Sequence, residues 1–296
     1  MTPEAPSSTD VAASAQGLSV HLGGRSILKD ISLSVPAGSV VGLVGRNGAG
    51  KSTLLRSLVG LVEPSSGSSE LLGCPSLHLT DAVRERLGFV AQTPDLFEWM
   101  GVLEMLQTIG RAYPCWDERR ALALAVQLEL PLGGSVRNLS GGDQQKLSVV
   151  LAMAHNPDLL LLDEPVSSLD PMTRRDFMRA LFTSPLRADN DRTEPVRERT
   201  ALISSHLLAD LERVVTHVAF IRDGRLQWFD AWDAMQEHLR LVPPVAANDK
   251  SRGVTRSLVW TNRQSGCRVV DTRLDSAWAG AGRSLLLDEL FLELNA

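Results

Sequence analysis

No apolar stretch in this chain reaches the roughly 18 to 20 residues that a membrane-spanning helix needs. The nearest approach, residues 149–162, is broken by His155, Asn156, Pro157 and Asp158. The start of the chain lacks the basic segment of a signal peptide, being acidic and rich in small residues, so residues 1–17 read as a flexible leader. Cysteine is sparse: Cys74, Cys115 and Cys267 are odd in number, widely separated and without metal-ligand spacing. That excludes a disulfide framework or a zinc ribbon and fits a reducing cytoplasm. An excess of basic residues is also missing, because the net charge is −5 and the pI about 5.7. No nucleic-acid partner is expected from such a balance.

What remains is 296 residues with 44% hydrophobic content, enough to bury a substantial core. The apolar run at residues 40–44 leads into Gly45-Arg46-Asn47-Gly48-Ala49-Gly50-Lys51-Ser52-Thr53 and then Leu54-Leu55-Arg56. This is the strand, turn and helix order of a phosphate-binding loop. Gly45, Gly48 and Gly50 permit backbone conformations closed to residues with a Cβ, so that N–H groups, Asn47 among their carriers, point at phosphate oxygens. The helix beginning near Lys51 adds its positive end. Lys51 is assigned to the β- and γ-phosphates and the Ser52 hydroxyl to magnesium, with Thr53 completing the loop.

A second apolar run, Leu159-Leu160-Leu161-Leu162, suits a strand buried on both faces and ends in Asp163-Glu164. Alone, such a pair reads as a solvated acidic turn. Beside a phosphate loop, Asp163 becomes a magnesium carboxylate and Glu164 a general base or water-positioning group. A third motif, Leu139-Ser140-Gly141-Gly142-Asp143-Gln144-Gln145, follows the loop in sequence.

With these motifs in this order, residues 18–226 resemble the ATP-binding cassette ATPases. The resemblance implies an α/β phosphate-loop core, an antiparallel β subdomain and a helical subdomain over about residues 93–156, the cassette spanning residues 18–241. It implies that Ser140 and the N–H groups of Gly141 and Gly142 cap the γ-phosphate of an ATP held by a second ATPase subunit. Gln92 matches the glutamine shared by magnesium and the attacking water. Asp170, in Ser168-Leu169-Asp170, matches the loop through which two subunits sense each other, and His206 matches the γ-phosphate histidine. Leu22 stands where the family commonly stacks an aromatic ring on adenine, which predicts weaker base discrimination. Asp143 replaces the more usual glutamine and places a carboxylate near polyphosphate, with Lys146 the residue able to offset it.

The implied function is an ATPase subunit powering a membrane transporter, using ATP and magnesium and closing head to tail with a second copy or a sister ATPase. Its place is peripheral, on the cytoplasmic face of the plasma membrane, against an integral-membrane subunit. Residues 94–130 resemble the helical subdomain of bacterial exporter ATPases, which makes export the expected direction. An importer subunit, or a soluble cassette ATPase acting on ribosomes or DNA, is the alternative. Phe97, Trp99, Met100 and Leu103 form a cluster suited either to the partner subunit or to the subdomain's own core. Residues 184–199 read as a charged loop insertion. Residues 242–296 read as a linker at Pro243-Pro244 and a small accessory region with strands at 257–260 and 267–270 and a helix over 284–294.

Overall fold

In the computed structural model the described residues are 11–167, 173–174, 177–178, 199–205, 211–243, 258–261, 266–274 and 282–295. The central sheet has six strands in the order β10-β9-β3-β8-β7-β6. They are β3 (Val40–Val44), β6 (Leu87–Val90), β7 (Leu159–Asp163), β8 (Thr200–Ser204), β9 (His217–Arg222) and β10 (Arg225–Ala231). All pair in parallel except the hairpin of β9 and β10. Every residue of β3, β7 and β8 is buried, which is why these strands read as continuous apolar runs.

Alternation along those strands divides the interior into two cores. Val44, Leu160, Leu162 and Ile203 join one with helices α3 (Val102–Gly110), α4 (Glu118–Gln127) and α5 (Gly141–Met153). Val41, Leu43, Leu159, Leu161 and Leu202 join the other with α1 (Lys51–Leu58) and an antiparallel layer. Each fully buried leucine contributes about 1.5 to 3 kcal/mol, so both faces of the central sheet fix the strand ends that carry the site. The antiparallel layer has the order β2-β1-β4-β5, from β1 (Val11–Leu22), β2 (Arg25–Pro36), β4 (Ser66–Leu71) and β5 (Cys74–Pro75). A short helix, α2 (Asp81–Arg84), precedes β6.

Three sequence boundaries move. The expected leader extended to residue 17, but β1 begins at Val11, pairing with both β2 and β4. Ala12, Ala13 and Ala15 are buried there, and alanines beside serine and glycine carry too little apolar signal to declare a strand. The stretch read as a linker from residue 242 is also wrong at its start. Strand β11 (Leu239–Val242) follows α6 (Trp232–His238) and pairs with β13 (Arg268–Asp271), which pairs in turn with β12 (Leu258–Thr261). The accessory sheet therefore starts before Pro243, which hid it as punctuation. The last helix, α7 (Leu287–Asn295), begins later than expected because Leu286 N–H donates to Glu289 Oε2 at 3.1 Å and caps it there.

Phe220 of β9 meets Phe291 of α7 edge-on at 6.2 Å, and Arg222 donates to the Leu294 carbonyl at 2.7 Å. The terminal region is thereby packed onto the central sheet. Cys74 and Cys115 are free thiols, and none of Cys74, Cys115 and Cys267 forms a disulfide among the described residues. Most of the 184–199 insertion and residues 244–257 lie outside the described residues.

Candidate nucleotide site

The phosphate loop joins β3 to α1 at the carboxyl end of the central sheet. A Cβ on Gly45 would fall 2.3 Å from the Ile221 carbonyl oxygen, so the strand can leave the sheet only through glycine. Gly50 has φ 107° and caps α1 without a side-chain bond, which leaves the first-turn N–H groups free of a side-chain cap. Gly48 and Asn47 are exposed on the rim of the loop, and Ser52 and Thr53 are half-buried at the start of the helix.

Lys51 folds back over this loop, its Nζ donating to the Gly45 carbonyl at 2.8 Å and to the Arg46 carbonyl at 3.4 Å. The same nitrogen lies 3.8 Å from Glu164 Oε1, both side chains being 6% exposed. Burial pushes the Lys51 ammonium below its ordinary pKa, and Glu164 and Asp163 oppose that shift.

Asp163 is fully buried at the end of β7, where the parallel register sets it opposite Ser204 of β8. Ser204 Oγ donates to Asp163 Oδ1 at 2.6 Å and accepts from Glu164 N–H at 2.9 Å. Glu164 itself has φ 49°, in the left-handed region that non-glycine residues seldom occupy. A conformation of that kind costs about 1 to 3 kcal/mol and persists where its surroundings enforce it. Here the strand-end register and the Ser204 hydroxyl turn the carboxylate toward Lys51. Asp163 Oδ2 is buried without a hydrogen-bond partner among the described residues. An orphaned carboxylate oxygen beside a phosphate loop is the acceptor a hard divalent cation requires, so the residues fit magnesium.

Ser204 was not singled out by sequence reasoning. Its only signal is a hydroxyl ending an otherwise apolar strand. Ser204→Ala is expected to lower stability by about 2 kcal/mol, the worth of a hydrogen bond to a buried charge, and to slow ATP turnover. Urea unfolding and phosphate release check both, and a variant unchanged in both would leave Ser204 no role in holding Asp163 and Glu164.

Gln92 is exposed just past β6, on the same end of the sheet, since Val90 pairs with Leu162. Beside it the Ala91 carbonyl accepts from Gln145 Nε2 at 3.3 Å, and Gln145 is 2% exposed. Gln145 is thus a strut from the signature helix to the glutamine segment, unmarked in the sequence beyond its place in the motif. At the start of α5, Ser140 and Gly141 are exposed and Gly142 half-buried. Asp143 N–H donates to Ser140 Oγ at 3.1 Å, Ser140 Oγ donates to Asp143 Oδ2 at 2.7 Å, and Lys146 Nζ lies 3.1 Å from Asp143 Oδ1. The unusual carboxylate is therefore paired with the lysine expected to offset it. Leu22 is 46% exposed at the end of β1 and offers an apolar contact without a ring. Asp170 and His206, with Ser168 and Leu169, lie outside the described residues.

The aromatic cluster divides. Met100 is 8% exposed and belongs to the helical core, whereas Phe97, Trp99 and Leu103 are 47%, 70% and 44% exposed. Phe97 and Trp99 lie with ring centroids 5.9 Å apart. This segment is clamped to the residues leading into the signature. Ser135 Oγ and Arg137 N–H donate to the Glu98 carbonyl, and Val136 N–H donates to the Met100 carbonyl at 2.9 Å.

Comparison with known proteins gives a consistent set of likenesses. The ABC transporter family pattern matches residues 28–167. A Nod factor export ATP-binding protein I of Cupriavidus pinatubonensis is 36% identical over 69% of this chain, which spans 61% of that relative's length. A phosphonates import ATP-binding protein of Rhodopseudomonas palustris is 36% identical over 69% of this chain and 75% of its own. Among solved structures, an ATP-binding subunit of an ABC transporter superposes with a TM-score of 0.65 at 26% identity, covering 76% of this chain and 92% of that one. An ATP-bound bacterial Atm1-family ABC exporter superposes with a TM-score of 0.61, covering 75% of this chain and 39% of that one.

Proposed function

The chain belongs to the ABC transporter family of ATP-binding proteins, and from that premise we propose that it is the ATP-hydrolysing subunit of a membrane transporter. The observation that carries this reading is the buried set of Lys51, Asp163 and Glu164 beneath a glycine loop, with Ser204 holding the Asp163 carboxylate and the Glu164 backbone in place.

ATP binding exchanges the Gly45 and Arg46 carbonyl contacts of Lys51 for β- and γ-phosphate oxygens, and the loop N–H groups complete the cradle. Ser52, Asp163 and Gln92 would hold magnesium, which when bound neutralises phosphate charge. Glu164 orients and deprotonates the attacking water, its carboxylate being the one base in the set that lies next to Lys51 without holding the metal. His206 is assigned to the γ-phosphate. Ser140 and Gly141 are exposed and Gly142 half-buried, so that their donors are open to an ATP on a second ATPase subunit. Two such subunits, identical or sister chains, close head to tail with Asp170 at their contact. Hydrolysis then requires closure, and closure can move a partner.

That partner is an integral-membrane subunit docked on Phe97, Trp99 and Leu103, with this chain peripheral on the cytoplasmic face. Among the described residues no helix is long and apolar enough to cross a membrane. Exposed aromatics suit the centre of a protein interface, and the clamp on Glu98 and Met100 ties the patch to the signature. Export is the proposed direction, supported by the exporter-like helical subdomain and the export-named relative. The import-named relative at equal identity makes import the second reading.

Trp99→Ala is expected to leave basal ATPase within about twofold, because an exposed side chain away from the nucleotide contributes little to the fold. The same change should remove most of the stimulation by the membrane subunit in proteoliposomes. Full stimulation in the variant would displace the docking site from this patch.

A further inference from the structure

A cleft of about 440 Å³ opens where the cassette sheet meets the terminal sheet, lined by Lys29, Arg222, Asp223, Arg225, Gln227 and Trp260. Its size falls within the roughly 300 to 1,000 Å³ of small-molecule sites. Its walls come from separate layers: Lys29 from β2, Arg222 and Arg225 from the β9–β10 hairpin, and Trp260 from β12.

The charges within it are unequally satisfied. Arg222 is held on three sides, by the Leu294 carbonyl at 2.7 Å, by Asp223 Oδ2 at 3.5 Å and by the Trp260 ring 4.5 Å from its guanidinium carbon. It pins the terminal sheet to the cassette. Lys29 and Arg225 have no side-chain hydrogen bond or ion pair among the described residues. Asp223 is the one carboxylate lining the cleft, and it is already engaged by Arg222. The Trp260 indole N–H is buried without an acceptor among the described residues. Two unpaired cations beside a third, facing an aromatic wall, are the donor set for an anion with an organic part.

We propose that this cleft is a second ligand site, which takes a small soluble phosphate ester, its phosphate between Lys29 and Arg225 and its organic part against Trp260. The site lies next to the phosphate loop. Lys29 N–H donates to the Gly224 carbonyl at 2.8 Å, and Gly224 N–H donates to the Ala49 carbonyl at 3.1 Å. A Cβ on Gly224 would fall 2.1 Å from the Ile27 carbonyl oxygen, so this backbone bridge is closely packed. The inference does not depend on the transport reading, since it uses none of the nucleotide residues.

The test uses the full chain, labelled with 5-fluorotryptophan and saturated with magnesium ADP so that the phosphate loop is filled. The Trp260 fluorine resonance is assigned through Trp260→Phe. Titration with phenyl phosphate should shift that resonance to saturation, while phenol, its uncharged counterpart, should not. In the Lys29→Gln, Arg225→Gln double variant the apparent affinity should fall about tenfold or more, the effect of losing charge-assisted bonds. Arg225 is exposed and Lys29 half-buried, and an unchanged fluorine spectrum before titration verifies the fold. Equal response to phenol, a shift that never saturates, or unaltered affinity in the double variant would overturn the proposal. Vesicles containing phosphatidic acid form a second arm, and a response confined to them would overturn the soluble-ester assignment.

Discussion

Replacing Glu164 with glutamine is expected to leave ATP bound and to slow its hydrolysis by about 10²- to 10⁴-fold, worth roughly 3 to 5 kcal/mol of activation free energy. The amide keeps the shape of the side chain and can accept a hydrogen bond, but it cannot take a proton from water. The backbone should hold, because the φ of 49° is enforced by the Glu164 N–H bond to Ser204 Oγ at 2.9 Å, which the substitution leaves intact. Nucleotide affinity measured by equilibrium titration should therefore stay close to that of the unaltered chain. Near-normal turnover would remove Glu164 from the chemistry, and loss of binding would recast it as a structural partner of Lys51.

The second large effect is expected at Lys51, where one substitution should damage both binding and stability. Lys51→Ala removes the cation assigned to the β- and γ-phosphates, and ATP binding should become undetectable at concentrations that saturate the unaltered chain. It also removes the cation 3.8 Å from Glu164 Oε1, where both side chains are 6% exposed and the buried Asp163 adds a second carboxylate. Breaking a buried pair by removing one partner costs about 3 kcal/mol or more. The free protein should thus lose about that much in urea unfolding. Adding Glu164→Gln to Lys51→Ala should restore part of the stability but none of the binding, a non-additivity that marks direct coupling. Additive losses would mean that the two side chains do not interact.

These expectations draw on parts of the site that were unequally legible. The phosphate loop is local: Gly45, Gly48, Gly50 and Lys51 sit in one short segment, and the strand and helix around them were written in adjacent apolar runs. Leu159 to Asp163 was equally plain, because a strand buried on both faces has no polar alternation to obscure it. Ser204 was not legible, since its role arises from the register of two strands distant in sequence. Gln145 belongs to the same class, reaching Ala91 only once α5 is packed beside β6. The start of β1 was lost among alanines and serines, and β11 behind Pro243 and Pro244. The aromatic cluster could be divided into Met100 inside and Trp99 outside only when the turn before α3 was fixed.

The measurement that bears most directly on the account is affinity purification of the Glu164→Gln protein, with magnesium ATP, from detergent-solubilised native membranes, followed by mass spectrometry of what remains attached. The account predicts a stoichiometric integral-membrane partner, retained with ATP and lost when Trp99→Ala is added. The topology of that partner separates export from import. Recovery with ribosomes or DNA-associated proteins, and with no membrane subunit, would contradict it and assign the chain to the soluble cassette ATPases.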